Sequence, residues 1–71
     1  MTFTKIISWD VIDNWNSYTV LWVEHYKPGY NFTSFLVDYY PEIIQAHVSE
    51  SYGLEIKFKS QEDFCLFILR Q

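Results

Sequence analysis

The sequence predicts a small α+β fold, in which an antiparallel sheet of about three strands packs against two helices. Three observations carry this expectation. Residues 54–58 (Leu-Glu-Ile-Lys-Phe) alternate apolar and charged side chains, the period of a half-buried strand. Phe35, Leu36, Tyr39, Tyr40, Ile43, Ile44, His47 and Val48 recur at spacings of three and four, the period of a helix with one buried stripe. The length of 71 residues leaves room for one domain, spanning 1–71.

Taken in order, Phe3–Trp9 is short, β-branched and aromatic, and reads as the first strand. Residues 10–16 hold two Asp and two Asn, which favour turns and caps over regular interiors. Tyr18–Tyr26 is dense in strand formers and ends at Lys27-Pro28-Gly29, a turn in which Pro presets one angle and Gly permits positive φ. It is assigned as the second strand. Val11, Trp15, Tyr18, Trp22 and His25 also share one helical stripe, but Asn14, Asn16, Thr19 and Val20 are mediocre helix residues, and local propensity favours the strand.

Thr33 or Ser34 can cap the next element, a helix over about Ser34–Ser51. Pro41 lacks a donor and pushes Tyr40 away from helical angles, so this helix is expected to kink or split there. Gly53 is a natural terminator before the Leu54–Phe58 strand. Ser60-Gln61-Glu62-Asp63 resembles a capping box with acids in the first turn, and it opens a helix over Gln61–Leu69. Six apolar residues in a row, Phe64 to Leu69, imply that this helix is buried nearly all round.

The composition excludes several classes of function. Half the residues are hydrophobic and 21 % aromatic, too apolar for a disordered chain. The scattered Cys and His supply no disulfide framework and no zinc-finger spacing, so neither cofactor nor metal is expected. No apolar run is long enough to span a membrane. Met1 to Lys5 does not lead into a secretory signal, and a single Cys suits a reducing cytoplasm. The Asn31-Phe32-Thr33 sequon is then a chance match. Five Lys and Arg against nine Asp and Glu give a net charge of −4, without the basic face of a nucleic-acid binder. Residues 28–56 contain no Lys or Arg, while Asp38, Glu42, Glu50 and Glu55 fall in that stretch. Such a stretch is either a solvated acidic face that keeps an apolar protein soluble or a patch that meets a basic partner.

The run from Gly53 to Arg70 resembles the tail of many small orphan proteins of tailed bacteriophages, which pass from a strand through a polar cap and Glu-Asp to a helix ending in Phe, Leu and a basic residue. Phe58, Glu62, Asp63, Phe67, Leu69 and Arg70 match that pattern. Phe64 stands where a small residue usually follows the acidic pair, and Ile68 where a Lys is common. The resemblance covers about a quarter of the chain. It implies a viral origin and a small α+β unit, and it carries over no catalytic residue.

Enzymatic readings find little support. Cys65 lies within Phe-Cys-Leu-Phe-Ile-Leu and reads as a small core residue rather than an activated nucleophile. His25 and His47 have no spacing that makes them converge with a carboxylate on a metal. The pairs Asp10/Asp13 and Glu62/Asp63 are explained by turn and cap duty.

The aromatic side chains are the informative feature. At about 150–250 Å² each, three Trp, six Tyr and six Phe represent roughly 3,000 Å². A chain of this mass folds to an accessible surface of roughly 4,700 Å² and hides only about 60 % of its extended area. Some rings must therefore stay outside, where Tyr and Trp supply large contact area for few rotatable bonds. Trp9, Trp15, Tyr26, Tyr30, Tyr39, Tyr40 and Tyr52 flank turns and helix ends and form the candidate surface, rimmed by Asp38 and Glu42. The function expected is a non-catalytic, phage-encoded protein that binds and modulates or inhibits a host protein. Alternatives are a nucleotide or single-stranded nucleic-acid binder that stacks bases on rings, with Lys5 and Lys57 forming a small basic edge, and a homo-oligomer built on the same patch.

Overall fold

The structure, a computed structural model, describes residues 1–49 and 52–71. Glu50 and Ser51, an acid of the cation-free stretch and the expected end of the long helix, lie outside the described residues. The elements are β1 (Phe3–Ser8), α1 (Trp9–Ile12), α2 (a π-helical stretch Ser17–Leu21 running into Trp22–His25), α3 (Phe32–Tyr39), β2 (Ile43–Ser49), β3 (Gly53–Phe58) and α4 (Gln61–Leu69). The α+β class is as expected: an open, three-stranded antiparallel sheet with four helices. No helix among the described residues is long and apolar enough to cross a membrane.

The most hydrophobic alternating strand takes the centre. The order is β1-β3-β2, with Leu54, Ile56 and Phe58 of β3 fully buried on one face. Opposed residues share a face, so the register carries Phe3 and Ile7 of β1 and Ile43, Ala46 and Val48 of β2 to that same side. The other face holds Thr4, Ile6, Gln45, His47, Glu55 and Lys57 and has no helix over it. Gly53 permits the β1–β3 pairing at its tip, since a Cβ there would lie 1.9 Å from the Ile7 carbonyl oxygen.

The helices cover the apolar face. α3 lies on β2 and presents Phe32, Phe35 and Leu36 inward, each burial being worth about 1.5–3 kcal/mol. The Asn31 side chain caps it by accepting from the Ser34 amide at 2.9 Å. α4 packs on β3 through Phe67, and Ser60 caps it by accepting from the Asp63 amide at 3.1 Å. The folded surface is 4,713 Å².

Four expectations are corrected. Residues 18–26 are helical, because the stripe Trp15, Tyr18, Trp22 faces the core while Val20 and Val23 face water. Packing of that stripe outweighs the poor local propensity. The helix expected to kink at Pro41 ends instead at Tyr39, and Ile43–Ser49 is a strand. The first strand stops at Ser8, and Trp9 opens α1. Finally, α4 is buried on one side only: Phe67 is sealed in, whereas Cys65, Leu66 and Leu69 are exposed. A two-layer molecule this small has no third layer to cover the outer side of α4.

Candidate protein-binding surface

The surface is built on α2 and α3, which pack against each other. Trp22 is half-buried, with its ring centroid 5.5 Å from Phe35, 5.3 Å from Tyr26 and 5.8 Å from Tyr30. Phe35 is buried, and Tyr39 stacks on it at 5.3 Å with an interplanar angle of 25°. His25 fits between them, 5.5 Å from both Phe35 and Tyr39, with Nδ1 donating to the Leu21 carbonyl at 2.8 Å. Exposed rings thus stand on a rigid aromatic base.

The nine sequence candidates divide three ways. Tyr26, Tyr39, Trp9 and Tyr52 are exposed by 61 %, 44 %, 37 % and 70 %. They form two sites, not one. Trp9 donates its backbone N–H to the Tyr52 carbonyl at 3.3 Å, beside the Gly53 end of the sheet. Tyr39 sits near the opposite end, where the neighbouring Tyr40 carbonyl accepts from Ile43, the partner of Phe58. Tyr30 and Asp38 occupy the flank of α3, where the Tyr30 hydroxyl donates to the Asp38 carboxylate at 2.9 Å. Partial burial, then the bond to Asp38 and its negative charge, hold the Tyr30 phenol above its ordinary value of about 10.

Trp15, Tyr40 and Glu42 are buried, which removes them from the surface. They belong to an internal clasp on the end of the chain. Trp15 and Tyr40 both pack edge-on against Phe67, at 5.1 and 4.8 Å. The Tyr40 hydroxyl bonds the Ser17 hydroxyl, which in turn donates to the Gln71 side chain. Arg70 pairs with the Glu42 carboxylate and lies over the Tyr40 ring. The acidic rim therefore reduces, among the described candidates, to Asp38.

Trp22 and His25 are surface residues that the sequence reading did not nominate. Their signal was the helical stripe from Val11 to His25, which the strand assignment set aside. Elsewhere, His47 faces Glu55 across the open side of the sheet at 3.0 Å. Among the described residues, no three His, Cys, Asp or Glu side chains come together as a metal site. Lys5 opposes Ile56 and Lys57 opposes Thr4, so the two lysines point to opposite faces and make no common basic edge.

One groove accompanies the aromatic surface. About 490 Å³ in volume, it lies between α3 and β2, lined by Tyr30, Val37 and Asp38 on one side and Ile44, Gln45 and Ala46 on the other. No family model, curated protein or solved structure matches this chain.

Proposed function

We propose that this chain is a non-catalytic binding protein that docks on a host protein and modulates or inhibits it, and that it is phage-encoded, as the resemblance of its tail implies. One observation carries the docking role: Tyr26 and Tyr39 are exposed yet rest on Trp22 and Phe35. Rings held this way lose little further conformational freedom on binding, which is the property of interface hot spots. His25 and Trp22 complete the patch, and Asp38 supplies a charge at its edge.

The test is site-specific photo-crosslinking in bacterial lysate. A benzophenone side chain at Tyr26 or Tyr39 is expected to capture one common protein in stoichiometric yield, while the same probe at the exposed Gln61 captures none. Tyr26→Ala with Tyr39→Ala is expected to weaken binding of the captured protein at least tenfold. Absence of a stoichiometric adduct, or full retention of binding by the double variant, counts against the proposal.

A second reading, self-association, is favoured by a different feature. Leu66 and Leu69 share the outer side of α4, and Leu69 is 81 % exposed.

A further inference from the structure

We infer that the groove between α3 and β2 receives an extended basic segment of the partner protein, which pairs as a fourth strand along the free edge of β2. This inference rests on the reading of the chain as a binding protein and specifies the kind of partner. β2 hydrogen-bonds only to β3 in the sheet, so its far edge presents backbone donors and acceptors with no strand beside them. Successive strand residues point to opposite faces. Ile44, Gln45 and Ala46 are consecutive, yet all three line the groove. This arrangement requires the groove to meet the strand edge-on, with the backbone accessible along it. The bulge at Ile44 turns the strand locally and interrupts long edge-to-edge pairing. α3 supplies the other wall, so the site combines a strand edge for main-chain bonds with a side-chain pocket, the two components of strand-addition recognition.

The charge of the occupant follows from the lining. Asp38 is the one charged side chain in the groove, and its carboxylate keeps acceptor capacity beyond the bond from Tyr30. The chain has no Lys or Arg between residues 28 and 56 to neutralise it. A second copy pairing along the same edge would bring a second Asp38 and another cation-free stretch to the interface. A different protein offering Lys or Arg avoids that repulsion.

The probe is a library of nine-residue peptides, capped at both ends, with Lys, Arg, Glu or Gln fixed at each position in turn. Selection is expected to fix Lys or Arg at one position and to shift the amide resonances of Val37, Asp38, Gln45 and Ala46. Methylating the selected peptide's backbone nitrogens one at a time is expected to abolish binding at every second residue, the signature of strand pairing. Asp38→Asn, whose side chain still accepts from Tyr30, is expected to lower affinity about fivefold and to erase the preference for a cation. Shifts confined to Tyr26 and Tyr39, loss without the two-residue period, or β2-to-β2 pairing of two copies would overturn the inference. Selection of no peptide overturns it as well, while the crosslinking at Tyr26 and Tyr39 decides separately whether the chain binds a protein at all.

Discussion

Arg70 shows how much structure rests on one side chain near the end of the sequence. Its guanidinium is half-exposed, but the Glu42 carboxylate that it meets is buried, so removing the cation strands a charge away from water. Arg70→Ala is expected to cost about 3 kcal/mol, the lower end for a broken buried pair because the guanidinium remains partly solvated. Glu42→Leu added to it removes the stranded charge and is expected to recover part of the loss. Urea denaturation of wild type, single and double variants checks this, and a double variant no more stable than Arg70→Ala would refute the pairing. From sequence, Arg70 registered as the basic residue closing a familiar tail and Glu42 as an acidic rim residue. Nothing in their spacing of 28 positions joined them. Trp15 and Tyr40 were misplaced for the same reason: a ring beside a turn can point either way, and only the placement of Phe67 settles that both point in.

At the scale of elements, legibility depended on whether a single period survived along the segment. Leu54–Phe58 keeps a strict alternation and was read as a strand, and the Ser60 cap ahead of Gln61–Leu69 was legible in the same way. β2 was not, because the bulge between Ile43 and Gln45 inserts a residue and shifts the alternation by one. Ile43 and Ile44 then fall side by side, and with His47 and Val48 they imitate helical spacing. α2 failed differently: its helical stripe was visible, but Val20, Val23 and their neighbours favour strands, and the decision belonged to packing against α3. The pairing of β1 with β3 makes the sharpest prediction here. Gly53→Ala would drive a Cβ into the backbone of Ile7 and Ser8, where no flexible side chain can yield. The expected cost is about 3 kcal/mol, from overpacking and a backbone angle that other residues rarely adopt. Amide exchange should localise the damage, with protection lost first in β1 and the end of β3. Uniform loss across the sheet would show instead that β1 and β3 do not open separately from the rest.

For the whole molecule, the sequence argument was one of volume, and it was right about the sum but not about the addresses. A surface of 4,713 Å² cannot hide fifteen rings together with the aliphatic side chains, and four of the nine Trp and Tyr are indeed exposed. Yet the same shortage of layers also leaves aliphatic residues outside, Leu66 and Leu69 foremost, and these went unforeseen because an unbroken apolar run looks buried. The protein thus carries two unlike apolar surfaces, the aromatic one on α2 and α3 and the aliphatic one on α4, beneath a net charge of −4. Like charges keep copies apart at low ionic strength, and salt screens that repulsion over about 10 Å at 0.1 M. Self-association through α4 should therefore strengthen with salt. Sedimentation velocity at millimolar protein is expected to show the weight-average coefficient rising between low salt and about 0.5 M NaCl. In Leu66→Glu with Leu69→Lys the rise should vanish, with thermal stability little changed, since neither side chain contributes to the core. Tyr26→Ala with Tyr39→Ala should leave the rise intact, because those rings are assigned to a different partner. A coefficient independent of salt in the wild type would remove self-association, and loss of the rise in the tyrosine variant would mean that the aromatic surface serves the chain's own copies.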